Sequence, residues 1–89
     1  MYLHLGQDTV VTYDEILGIF DLEATTVSKA TRDYLATATK QGRVVNVGFE
    51  LPKSFVVCRD KIGNTTVYIS PISPSTLLKR SRNSLAGMK

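Results

Sequence analysis

A catalytic group in this chain of 89 residues would have to be built from one histidine, one cysteine and scattered carboxylates. Hydrolytic catalysis needs a nucleophile, a base and an orienting group within mutual reach. His4 is the only histidine, and it stands in an alternating N-terminal stretch beside Tyr2, where a structural or surface role fits it. Cys58 closes the apolar run Phe55-Val56-Val57-Cys58 and reads as a small buried thiol. As the sole cysteine it has no partner for an internal disulfide or a CxxC metal pair. Metal sites of the usual kinds need several Cys, His or clustered carboxylates. The adjacent Asp14 and Glu15 would point to opposite faces of a strand. Neither a GxxxxGK[ST] nor a GxGxxG loop occurs. The expectation is a protein that is not an enzyme, uses no cofactor and no metal, and works by binding.

The residues suited to binding are basic. Phosphate contacts come from Lys, Arg, hydroxyls, backbone N–H groups and helix N-termini. The segment Ser73 to Arg82 combines several of these, with Lys79, Arg80 and Arg82 on its polar side. Lys53 follows the stiff Pro52, and Arg43 opens the preceding strand. These bases could equally do no more than cover apolar surface with their stems. Their distribution argues for more. Residues 1–28 hold five acids and no Lys or Arg, whereas residues 61–89 hold five bases and no Asp or Glu. Such asymmetry suits contact with a polyanion, or acid meeting base between neighbouring subunits. About three phosphates per subunit would give a salt slope near −2.7, too weak for specific occupancy by one subunit. A multimer would multiply the contacts. The charge polarity fits a head-to-tail association, which closes into a ring when the rotation permits.

The elements that must hold these residues follow from periodicity and punctuation. Tyr2–Leu5, Thr9–Tyr13 and Ile16–Phe20 read as strands, with Gly18 marking a bulge or a close backbone approach. Ser28 is a suitable N-cap for a helix whose apolar stripe is Ala30, Tyr34 and Ala38 with Leu35 beside it, and Gly42 stops it. Strands follow over Arg43–Val47, Ser54–Arg59 and Thr65–Ser70. The last two are joined by the five-residue connection Asp60–Asn64. Ser73-Pro74 reads as an N-cap followed by proline at the first position of a short second helix through Leu77, Leu78, Ser81 and Leu85. The order β-β-β-α-β-β-β-α with short links predicts an α+β domain, a small and mostly antiparallel sheet with two helices.

One such domain is expected over 1–83, with a flexible C-terminal tail over 84–89. The start Met1-Tyr2-Leu3-His4-Leu5 lacks the pattern of a signal peptide, and no apolar run approaches the ~20 residues that span a bilayer. The expected location is cytoplasmic, with no membrane partner.

Three strings carry a resemblance. They are Val44-Val45-Asn46-Val47, Glu50-Leu51-Pro52-Lys53-Ser54-Phe55-Val56-Val57, and Val67-Tyr68-Ile69-Ser70-Pro71-Ile72-Ser73-Pro74-Ser75-Thr76-Leu77-Leu78-Lys79-Arg80. With Tyr2-Leu3-His4-Leu5-Gly6 and Gly18-Ile19-Phe20-Asp21, they closely resemble the RemA/RemB family of bacterial extracellular-matrix regulators, in its RemB type, over about residues 1–82. The resemblance implies a cytoplasmic, nucleoid-associated regulator of biofilm-matrix genes. It also implies a LytTR-like subunit in a ring-shaped homo-oligomer, and double-stranded DNA as partner. The carry-over of residues is uneven. The RemA type has a DNA-contacting arginine after the second strand, where this chain has Glu15, and an arginine pair where an ungapped match places Leu51 and Pro52.

Two readings result. In the first, the chain is a ring-forming, DNA-binding transcriptional regulator that contacts the backbone through Lys53, Arg43, Lys79, Arg80 and Arg82. Specificity would then come from DNA shape and bending. In the second, it is an assembly or partner-binding module without direct DNA contact, acting with a RemA-type protein. Glu15 favours the second and the acid-free basic C-terminus the first.

Overall fold

The run Ser54–Arg59 is apolar in four consecutive positions, and a strand with no polar face must be covered on both sides. In a computed structural model describing residues 2–22 and 28–86 (82–86 as helix backbone alone), this run is central and is buried from Ser54 to Cys58. The strands are β1 (Tyr2–Gly6), β2 (Thr9–Thr12), β3 (Ile16–Asp21), β4 (Val44–Asn46), β5 (Ser54–Arg59) and β6 (Thr65–Ser70). One turn of 3-10 helix, Tyr13–Glu15, links β2 to β3. The helices are α1 (Lys29–Lys40) and α2 (Pro74–Ala86). The element order is the expected one. Helix α2 runs to Ala86, past the boundary at 83, and residues 87–89 lie outside the described residues.

The strands form two sheets rather than one. β1 and β2 make a hairpin, and the other four run β3-β5-β6-β4. β3–β5 and β5–β6 are antiparallel, while β4 lies parallel to β6. β3 and β4 therefore run the same way on opposite edges. This is possible because the segment between them contains α1, long enough to cross the sheet.

Alternation along β5 and β6 sorts the core into two layers. Phe55, Val57 and Val67 face α1, where Ala38 is buried and Leu22, Leu35, Val44 and Ile69 pack around them. Val56 and Cys58 face the other way, onto Leu3, Leu5, Val11, Val47 and Leu77 from the hairpin, the segment after β4 and α2. Burying Leu3, Leu5 and Leu77 contributes about 1.5–3 kcal/mol each.

Local signals behave as their chemistry dictates. Ser28 Oγ accepts from the Thr31 N–H at 3.4 Å and caps α1, and Gly42 has φ +70° beyond its C-terminus. Ser73 Oγ accepts from the Thr76 N–H at 3.3 Å and caps α2. The β3–β5 register shifts between Ile16 and Gly18, the bulge the glycine announces. A β-carbon at position 18 would lie 2.7 Å from the Phe20 ring, which stacks on Phe55 at 4.9 Å between centroids. The stripe expected on α1 is rotated. Ala38 is buried and Leu35 half-buried, but Ala30 is exposed and Tyr34 is 38% exposed, because the first turns of α1 overhang the β3 edge.

Two serines, cross-strand partners and both fully buried, fasten the layers. Ser70 Oγ donates to the Leu5 carbonyl at 2.7 Å and accepts from the Ile72 N–H at 3.1 Å. Ser54 Oγ donates to the Ile72 carbonyl at 2.7 Å. Ser70→Ala leaves the Leu5 carbonyl buried without its donor. The expected loss is about 1–3 kcal/mol in urea denaturation, against about 1 kcal/mol for the helix cap Ser73→Ala. A Ser70→Ala loss within the ~0.5 kcal/mol of an ordinary surface substitution would contradict the fastening role.

Candidate nucleic-acid interface

Lys53 stands where β5 begins, with its backbone held on both sides. Its backbone N–H donates to the Ser70 carbonyl at 2.9 Å, and its carbonyl accepts from the Leu22 N–H at 3.0 Å. The side chain is left exposed at the end of the sheet where β5 begins and β6 ends. Helix α2 starts four residues after Ser70, and the segment between is held by Ser54 and Ser70. Lys53 and the N-terminus of α2 therefore leave the same end of the sheet. Ser73 Oγ lies 3.2 Å from Ser75 Oγ and 2.9 Å from Thr76 Oγ1, a cluster of three hydroxyls at the helix start. Leu77 turns into the core and leaves Lys79 and Arg80 exposed. Arg80 donates through Nη1 to the His4 carbonyl at 3.1 Å, which ties α2 to the hairpin and sets the guanidinium beside it. His4 itself hydrogen-bonds the Gln7 carbonyl through Nε2 and holds the hairpin turn. Arg82 lies on α2, and its side chain is outside the described residues.

Arg43 does not join this group. Its carbonyl accepts from the Val67 N–H, which sets it level with the start of β6. That places it ~15 Å along the strands from Lys53, at 3.3 Å per residue. Its guanidinium donates to Gln41 Oε1 at 2.6 Å and to the Thr65 carbonyl at 3.4 Å, and it stands 5.9 Å from the centre of the Tyr34 ring. Arg43 thus braces the turn after α1 at the opposite end of the sheet. Glu15 is at that end too, preceding β3, and its Oε1 accepts from Thr12 Oγ1 at 2.8 Å. The length of β3, ~17 Å, separates Glu15 from the Lys53 end. This is about two Debye lengths at physiological salt, so Glu15 does not oppose an anion seated at Lys53. The nearer acids are Asp21, the cross-strand partner of Ser54, and Glu50 in the loop before Lys53.

Sequence reasoning named Lys53, Lys79 and Arg80 by their charge and did not single out Ser54 and Ser70, whose hydroxyls hold the segment between β6 and α2. Ser54 and Ser70 read as polar strand ends, and only the covering hairpin makes them interior. It also missed Phe49 and Leu51, which are 99% and 76% exposed in the loop between β4 and β5. Two apolar residues between Gly48 and Pro52 that belong to no periodic element were the available signal.

Among the described residues, no group of three His, Cys, Asp or Glu side chains could hold a metal ion, and no helix is long and apolar enough to cross a membrane. Burial, and secondarily the charge of Glu15, push the Cys58 thiol up to about 11. It is protonated and covered at neutral pH, the reverse of a reactive thiolate.

The chain matches the family model "RemA-like: Extracellular matrix regulatory protein A-like" over residues 2–80. It is 40% identical over 82 residues to extracellular matrix regulatory protein B of Bacillus subtilis (strain 168), a match covering 92% of this chain and 91% of that one.

The raised Cys58 pKa has a stability sign. The folded state holds the proton more tightly than the unfolded chain, so this contribution is complete below about pH 9 and is lost as pH rises toward about 11. Urea midpoints are expected to fall across that window, and less so for Cys58→Ala. Labelling by an aromatic disulfide at about pH 8 should proceed only as fast as the protein opens; rapid stoichiometric labelling of the folded protein would contradict the assignment.

Proposed function

This chain belongs to the RemA-like family of extracellular matrix regulatory proteins, in its RemB type, and on that premise we propose that it is a ring-forming, DNA-binding transcriptional regulator of biofilm-matrix genes. The observation that carries the reading is that Lys53 and the N-terminus of α2, with the hydroxyls of Ser73, Ser75 and Thr76, leave the same end of the sheet, and that α2 carries the exposed Lys79 and Arg80 within its first two turns. Ammonium groups, guanidinium N–H groups, hydroxyls and a helix N-terminus are the groups that hold DNA phosphates. Contacts of this kind position a duplex without reading its bases, and the RemB-type chain would select DNA by shape. Asp21 and Glu50 lower the net charge of this end, so a single subunit binds weakly. A ring that repeats the end around its rim supplies the affinity through multivalency. Arg43, committed to the other end, is not part of this face.

Phe49 and Leu51 favour a second reading. Where the resemblance implies arginines, this loop carries Leu51 and Pro52, and its exposed apolar residues suit a protein surface better than a phosphate chain. In that reading the chain assembles, with itself or with a RemA-type protein, and leaves DNA contact to its partner.

Binding of a labelled duplex of several helical turns, measured across 50–200 mM salt, separates the two. The first reading predicts steep salt dependence, with Lys53→Ala weakening binding evenly across sequences and reducing the slope by about 0.9 for each subunit engaged. A multimer with no affinity for the duplex at the lowest salt would establish the second.

A further inference from the structure

An apolar groove of about 360 Å³ opens on the α1 side of the molecule, along the β3 edge. Its walls are Leu17 and Phe20 of β3, Phe55 and Val57 of β5, and Ala30, Thr31 and Tyr34 of α1. Leu17 is 56% exposed and Phe20 41%. These are side chains of core character left in solvent where α1 overhangs the edge strand. The second apolar feature is the loop after β4, with Phe49 almost wholly exposed and Leu51 nearly so. An exposed apolar knob and an exposed apolar groove on one small chain are a pair of unlike surfaces.

We propose that Phe49 and Leu51 of one subunit seat in the Leu17–Phe20–Tyr34 groove of the next copy. This rests on the assembly part of the proposed function and names its contact. The lining is suited to such an occupant: six of the seven groove residues named are apolar or aromatic, as a seat for Phe49 and Leu51 requires. The charges also match. Glu50, between the two apolar residues, carries the acid, and Arg43, standing over the Tyr34 ring, brings a base to the rim of the groove. Because knob and groove are different surfaces, the contact is head-to-tail rather than two-fold, the geometry that generates a ring or a filament. Aromatic anchors in apolar pockets carry most of the binding energy of such contacts.

The test is light scattering of the full chain with two variants, each altering residues already exposed. The doubly substituted loop variant (Phe49→Ser, Leu51→Ser) and the groove variant Leu17→Lys are each expected to lose the multimer, with subunit affinity falling about thirtyfold or more. Mixed in equal amounts they should form a dimer of twice 9.8 kDa, since the intact loop of one fits the intact groove of the other and both remaining ends are blocked. Either variant retaining the wild-type mass, or a mixture that stays monomeric, would overturn this contact while leaving the ring reading intact. A monomeric wild-type chain would overturn both.

Discussion

The hydrogen bonds of two buried serines set the arrangement on which everything else depends. Ser54 and Ser70 face each other across β5 and β6 with no exposure, and their hydroxyls reach Ile72 and Leu5. A hydroxyl buried without a partner costs more than the bond returns, so the interior tolerates these serines only while the hairpin and the segment entering α2 stay in place. The result is one rigid corner. The hairpin is tied to the central sheet, α2 leaves at a fixed point, and Lys53, bonded through its backbone to Ser70 and Leu22, projects beside it.

A chain of this length buries only part of its apolar surface. Here the division has a pattern. The central strands are sealed on both faces, while the β3 edge, the first turns of α1 and the loop after β4 keep apolar side chains outside. An open edge strand with apolar neighbours is normally blunted or covered. The proposed knob-and-groove contact covers this one with a copy of the chain. It leaves Lys53 at the base of the inserted loop, held by its own backbone bonds. On the proposed reading, assembly and anion contact would use adjoining surfaces, and forming one would present the other repeatedly around the particle.

The local part of the fold was legible in the sequence, because caps, turns and the bulge are decided within a few residues. Ser28, Gly18, Gly42, the Asp60–Asn64 connection and Ser73-Pro74 all act as their chemistry suggests. In the last connection but one, Asp60 Oδ1 accepts from the N–H groups of Ile62 and Asn64. Relations between distant segments were not legible. Periodicity places Ala30 and Tyr34 on the apolar face of α1 but does not say that the helix overhangs an edge. β4 is three residues long, and its parallel pairing follows from the crossover through α1. The candidate site divides in the same way. Lys53, Lys79 and Arg80 could be picked by charge, yet Arg43 carries the same charge and sits at the far end of the sheet, braced on Gln41, Thr65 and Tyr34.

If the chain binds DNA as proposed, the Lys53 end of the sheet, and not the Arg43 end, meets the duplex. Hydrogen exchange of the full chain, followed by mass spectrometry with and without a duplex of several helical turns at low salt, tests it directly. Slowed exchange is expected over residues 52–56 and 73–80, with residues 59–66 unchanged. Protection confined to 59–66 and the turn at Arg43, or none anywhere on a chain that remains multimeric, would contradict it.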